Sequence, residues 1–173
     1  VVGDTQTDGY DWSINWSVFP NIIEDMNAHD PVVGLFAGDL VGGSSSLIDT
    51  RGQWQDFKDV ALGLTGEVLP VVGNHDVYPG VGTFTAFADE FDWLPSDDSP
   101  PSQERVSYYY DYGNTRFIAI TSDLQVAPWT GFTRPSLMWL DRVLSEAEDM
   151  EHTFVFTHHP ITFSTETNVG GTD

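Results

Sequence analysis

The sequence predicts an α/β layered fold, and three observations carry that expectation. Short apolar runs alternate with amphipathic stretches along the chain, the pattern of strands interleaved with helices. Hydrophobic residues make up 40% of the 173 and aromatics 13%, enough to bury a core in one domain and too much for a disordered acidic tail. Polar clusters of Asp, Asn, Gln and His stand directly after four of the apolar runs, at the ends of strands where open α/β sheets gather ligands.

Six runs read as strands: residues 1–3, 32–37, 68–72, 106–112, 116–121 and 153–157. Four stretches read as helices: residues 20–28, 52–64, 83–91 and 135–149. The last places Leu137, Leu140, Val143 and Leu144 on one stripe, as a core-facing helix requires. Tyr112-Gly113-Asn114-Thr115 reads as a hairpin turn, and Tyr108 to Tyr110 as strand residues alternating between faces. Residues 92–104, with Pro95, Asp97, Asp98, Pro100 and Pro101, form a long polar loop. Residues 42–46 read as a second, flexible one, and Tyr78, Trp93 and Trp129 as loop aromatics that line a pocket or simply pack. No repeat stands out, and no apolar run approaches the ~20 residues a membrane span needs. The chain opens on a strand with no basic leader pattern and stops in a loop. It is read as one domain over residues 1–173, truncated at its C-terminus and at its N-terminus.

The charge is lopsided: 27 acidic residues face 6 basic ones, a formal net charge of -21, and Lys58 is the only lysine. Such a field disfavours nucleic acid, whose backbone rewards clustered Lys and Arg. Metal sites would use only a handful of the carboxylates. The rest point to a saline, marine setting and to an extracellular or periplasmic location, where salt screens them and they keep the surface hydrated. With no cysteine there is no thiolate zinc site, no disulfide framework and no cysteine nucleophile.

The four clusters are Asp4-Thr5-Gln6, Gly38-Asp39, Gly73-Asn74-His75-Asp76 and His158-His159-Pro160. Delivered to one edge of a sheet, they make a mixed oxygen and nitrogen donor set that suits manganese, iron or zinc and not copper(I). A lone Asp after a strand is as readily a solvated loop residue or helix cap in so acidic a chain, and Asn74 after Gly73 is a natural turn residue. It is the order of all four that favours chemistry. His29 and His152 lie beside polar helix ends and read as surface. Residues 42–46 lack the lysine of a phosphate-binding loop, and no G-x-S-x-G elbow supports a serine hydrolase.

The order D-x-Q, GD, GNHD, H-x-P from Asp4 to Pro160 resembles the calcineurin-like metallophosphoesterase superfamily, with GNHD its most specific element. That resemblance implies a four-layer αββα sandwich whose C-terminal part is missing here. It also implies a phosphoesterase that hydrolyses a small phosphomonoester or phosphodiester with a hydroxide activated by two divalent metal ions. By the same resemblance Asp4 binds the first metal, with Gln6 in the place where many members have His. Asp39 bridges both, Asn74 and His158 bind the second, and His75 acts beside them on the transition state or the leaving oxygen. Asp76 or His159 would orient the imidazole or a ligand from behind.

The chain departs from the superfamily in three places. No GHxH motif follows the H-x-P, so each metal would lack one ligand. Thr7 stands where purple acid phosphatases have a metal-binding tyrosine, which argues against an iron charge-transfer centre. Gly42 stands where the serine/threonine phosphatases have the Asp of GDxxDRG. The rival reading is a non-catalytic, phosphoesterase-like binding module of a larger secreted protein.

Overall fold

The structure, a computed structural model, describes residues 1–7, 13–77, 84–122, 124–126 and 129–159. Tyr78, Pro160 and the terminal loop after it lie outside the described residues. The first sheet pairs β1 (Val33–Ala37) with β2 (Glu67–Val71) in parallel, Leu35 opposite Leu69. Val2 bridges Phe36 on the other edge of β1, its N–H donating to the Leu35 carbonyl at 2.9 Å. The expected first strand is thus one bridge long. Asp4 takes a left-handed φ of 53° and turns the chain out of the ladder, although its N–H still donates to the Gly38 carbonyl at 3.1 Å.

Helices α1 (Phe19–Asn27), α2 (Leu47–Ala61) and α3 (Phe84–Glu90) lie on one side of this sheet. Phe36 of β1 meets Phe19 and Phe57 edge-on, with centroids 6.1 and 5.4 Å away, and Trp54 of α2 meets Phe87 of α3 edge-on at 5.8 Å. Gly34 leaves room for this layer, since a Cβ there would run into Leu64 and stand 3.2 Å from the Met26 Cε. Helix α2 starts five residues before the expected position because Ser46 caps it, its side chain accepting the Asp49 N–H. Gly52, a poor helix former, obscured that start, but it sits where nothing lies within 4 Å of an added Cβ.

The second sheet orders β3 (Tyr108–Tyr112), β4 (Thr115–Ala119) and β7 (His152–Phe156), with β3–β4 an antiparallel hairpin and β4–β7 parallel. The period-two alternation of these strands builds two cores. Tyr108, Ala119 and Phe156 join the larger core shared with the first sheet, while Ile118 and Ile120 face Trp139 and Val143 of α4 (Arg134–Ser145). The Tyr108 hydroxyl, fully buried, donates to the Pro70 carbonyl at 2.8 Å and ties the two sheets together. Helices, sheet, sheet and helix make the four layers of an αββα sandwich.

Three expectations need correction. The core stripe of α4 is Ser136, Trp139 and Val143 with Leu140 partly buried, whereas Leu137 and Leu144 are exposed. Polar partners set that rotation: Gln103 donates to Ser136 at 2.8 Å, and the Trp139 indole N–H to Asp98 at 3.1 Å. Trp129 opens β6 (Trp129–Gly131), which pairs antiparallel with β5 (Leu124–Val126) in a hairpin that the sequence did not suggest. Residues 42–46 are tied down, with the Ser44 N–H on Thr50 Oγ1 at 3.1 Å and the Ser46 N–H on Ser44 Oγ at 3.1 Å. Trp93 packs against Phe91 and donates to the Val68 carbonyl, and His29 and His152 are exposed. No helix among the described residues is long and apolar enough to cross a membrane.

Candidate metal centre

Because β1 runs parallel to β2 and β4 to β7, the segments following β1, β2 and β7 leave their sheets at carboxyl ends. These ends meet: a Cβ added to Gly38, whose φ is +78°, would stand 2.7 Å from the His158 Cβ. Gly73 is equally constrained, since its Cβ would collide with the backbone N and Oδ1 of Asp39. The arm carrying Asp4 and Gln6 is laced to the same place by the Thr5 N–H on the Asp39 carbonyl at 3.1 Å and the Thr5 hydroxyl on the Leu40 carbonyl at 2.7 Å. Asp4 and Asp39, at φ 53° and 48°, both hold the left-handed conformation that non-glycine residues seldom adopt. Such strain persists only where the surroundings impose it, and it collects at functional sites.

Ligand atoms of Asp4, Asp39 and His158 lie within 4.8 Å of one another. The His158 Nε2 is 3.2 Å from Asn74 Oδ1 and 3.4 Å from Asp39 Oδ1. Its Nδ1 is 2.8 Å from the Ala37 carbonyl, which can only accept, so Nδ1 carries the proton there and Nε2 turns toward the cluster. On the other side of the same carboxylate, Gln6 Nε2 is 3.3 Å from Asp39 Oδ2. Asp39 therefore presents one oxygen to His158 and the other to the Gln6 amide.

His75 sits between these groups. Its backbone N–H donates to Asp39 Oδ1 at 2.9 Å, its Nδ1 is 2.9 Å from the Gly42 carbonyl, and its Nε2 is 4.0 Å from Asp39 Oδ2. His159 is anchored beside the cluster, its N–H on Ser122 Oγ at 3.0 Å and its ring 4.7 Å from that of His158. Asp76 lies beneath, with no side-chain contact to the His75 ring among the described bonds. Its carboxylate accepts the N–H groups of Gly73, Leu40 and Val41.

Electrostatics separate the two buried carboxylates. Burial pushes the Asp39 carboxyl up, but the His158 hydrogen bond, the His75 N–H and the charges of both imidazoles together hold it below the usual range. Burial pushes Asp76 up to about 7, and the neighbouring Asp39 charge adds to that, against the pull of its three N–H donors.

The donors present suit a divalent cation. Two donors about 2.0–2.2 Å from one ion and at roughly 90–110° to each other stand about 2.8–3.6 Å apart, a range that holds the spacings of His158 Nε2 from Asn74 Oδ1 and from Asp39 Oδ1. An imidazole nitrogen, an amide oxygen and a carboxylate oxygen converging on one point form a set that a cation completes. Gln6 Oε1 is buried without a partner, a costly state for a carbonyl that a cation or its water would relieve.

All the site residues named from the sequence thus gather at one place. Sequence reasoning missed the Gly42 and Ala37 carbonyls, which fix the two imidazoles, and Ser122, which holds His159. Backbone acceptors leave no mark on residue identity. Only the glycines flanking them gave a signal.

The comparisons with known proteins speak to the family and the fold. The family model for calcineurin-like phosphoesterases matches residues 1–172. No curated protein matches the chain. Among solved structures, a dimetal phosphatase from Danio rerio is similar with a TM-score of 0.68 at 14% identity, over 93% of this chain and 69% of that one. At that identity the likeness speaks for the fold.

Proposed function

The chain belongs to the calcineurin-like phosphoesterase family, a family of metal-dependent phosphoesterases, and on that premise we propose that it hydrolyses a small phosphate ester, a monoester or a diester, at this centre. In this reading Asp4 and Gln6 would hold one divalent cation, Asn74 and His158 would hold a second, and Asp39 would serve both. The convergence of Asp4, Asp39 and His158 within 4.8 Å carries the reading. The opposed orientation of the two Asp39 oxygens supports its bridging place.

When bound, the cations supply Lewis acidity toward the phosphoryl oxygens and a water nucleophile. The protein's part is to keep that acidity available. Only Asp4 and Asp39 would bring negative charge to the donor set, while Gln6, Asn74 and a His158 unprotonated at Nε2 against the cation would be neutral, so the ions would be only partly cancelled. That leaves a local positive spot for an anionic substrate on a chain of net charge -21.

His75 supplies the proton. An alkoxide is a poor leaving group and gains from a positioned acid. The Gly42 carbonyl holds the ring by Nδ1, so Nε2 faces the centre without reaching a bonding distance to Asp39. The acceptor is a backbone carbonyl and not a carboxylate.

The test is hydrolysis of p-nitrophenyl phosphate and bis(p-nitrophenyl) phosphate by metal-stripped protein with and without added Mn²⁺. Hydrolysis of either ester that depends on Mn²⁺ is expected. Tight Mn²⁺ binding with neither ester cleaved would favour the non-catalytic module. His75→Ala should lower turnover by about 10²–10⁴-fold with bound Mn²⁺ unchanged, and loss of the metal would make His75 a ligand instead.

A further inference from the structure

Asp76 is a carboxylate with 0% exposure, and none of the ion pairs made by Lys or Arg among the described residues reaches it. A buried carboxyl without a counter-ion is expensive to ionise, so its place in the fold needs a reason. Its bonds supply one. Oδ1 accepts the Leu40 N–H at 3.1 Å and the Val41 N–H at 3.3 Å, while Oδ2 accepts the Gly73 N–H at 2.8 Å and lies 3.2 Å from the Leu40 nitrogen.

Leu40 and Val41 follow Asp39, whose φ is +48°. Successive N–H groups after a left-handed residue form a concave nest that binds an anion, and here the anion is internal. The same carboxylate closes the turn from Gly73 to Asp76 on itself, so one side chain fastens the two segments that carry Asp39 and Asn74. Gly73 makes the fit possible, because any Cβ there would collide with Asp39.

We infer that Asp76 is a positioning residue of the metal centre. It acts through the backbone, holding Asp39 in its strained conformation and fixing the spacing between Asp39 and Asn74, and it does not orient the His75 ring. This rests on the metal-binding reading above. It makes Asp76 a determinant of cation affinity although it offers no atom to the cation.

The experiment measures Mn²⁺ binding by equilibrium dialysis on metal-stripped wild type, Asp76→Asn and, as a control, Val143→Ala, a fully buried residue of the smaller core. Asn keeps the shape of Asp76 but sets an NH₂ against either Gly73 or Leu40 and Val41. Circular dichroism should show both variants folded, and Mn²⁺ affinity should fall about 10–100-fold in Asp76→Asn. In Val143→Ala affinity should stay within about twofold of wild type, since removing two buried methyl groups destabilises without touching the loops. Wild-type affinity in Asp76→Asn would overturn the inference.

Should Asp76→Asn not fold, amide hydrogen exchange on metal-free wild type decides. Leu40, Val41 and Gly73 should be protected together, and free exchange at Leu40 and Val41 would overturn the clamp. A wild type that binds no Mn²⁺ is a failure of the metal-binding reading, which the exchange measurement separates from a failure of the clamp.

Discussion

The carboxyl ends of β1 and β2 and the outer half of the molecule, β7 with α4, are built on opposite plans. Around Asp39 and Asn74 the chain is buried and crowded. Two aspartates are left-handed, two glycines are closed off by neighbouring backbone or side chains, and a carboxylate is buried without a cation. Around α4 and β7 the surface is open. Phe154, Val155, Leu137 and Met138 are exposed, and order comes from ion pairs: Arg116 grips Asp111 with two N–H donors at 2.8 and 2.7 Å, and Arg142 reaches Asp98 and Glu146. The first region spends conformational freedom to fix the separation of a few atoms. Apart from the His158-His159 end that β7 sends to the metal centre, the second only has to stay folded, and substitutions should therefore fail differently in the two.

Asp39→Asn should have the largest effect. It removes the anion that the other donors surround, so Mn²⁺-dependent turnover should fall about 10³-fold or more, on the scale of losing a preorganised electrostatic group. Near-normal turnover would end the bridging assignment and with it the contrast between the regions. A paired substitution sharpens the contrast. Gly73→Ala and Gly34→Ala both overpack a buried position, at a cost of roughly 1–3 kcal/mol each. At Gly34 the obstacles are the tips of the Leu64 and Met26 side chains, whereas at Gly73 they are the backbone and carboxylate of Asp39. Thermal denaturation should show comparable losses, and Mn²⁺ binding should weaken only in Gly73→Ala. Equal effects on the metal would mean that the site is no more crowded in function than the core.

That asymmetry also explains what the sequence made legible. The α/β alternation, most of the strands and the four donor clusters could be read because strands and metal ligands constrain residue type, while the two-sheet sandwich came from the family resemblance. The order D-x-Q, GD, GNHD, H-x-P survives as a string because its first piece follows the bridge at Val2 and the others follow β1, β2 and β7. The rotation of α4 could not be read, since Ser136 turns inward only to meet Gln103, which lies 33 positions away. Nor could the early start of α2, where a cap at Ser46 outweighs a helix-breaking Gly52. Around the metal centre the ligands were legible, whereas the carbonyls of Ala37 and Gly42 that aim the two imidazoles were not. Any residue can supply a carbonyl.

Between the two regions stands Tyr108, whose buried hydroxyl joins the sheets at the Pro70 carbonyl. Tyr108→Phe leaves that carbonyl without this donor and should cost about 1–2 kcal/mol, read as a lower midpoint in urea. Turnover per folded molecule should hold, because Pro70 lies within β2 and not in the segment after it. A loss of turnover without a loss of stability would mean that the sheet-to-sheet bond sets the site geometry directly.

The smallest effect belongs to the open region. The guanidinium of Arg142, and after it the Trp139 indole N–H, hold the Asp98 carboxyl below its ordinary value. A carboxyl depressed in the folded state favours folding where it is ionised in both states, above the ordinary carboxylate range. That contribution is lost as pH falls through the folded-state value. Asp98→Asn should accordingly leave an acid denaturation profile less steep at its low-pH end and slightly lower near neutrality. With about a third of the Asp98 side chain exposed, solvent screens the pair and the change should be modest. Metal affinity and turnover should not move, because Asp98 pins the 92–104 loop to α4 and shares no bond with the segments after β1 and β2. If removing so exposed a carboxylate did weaken Mn²⁺ binding, the two halves would be mechanically coupled, and the strain at Asp39 would have to be sought in the whole sandwich and not in its own loops.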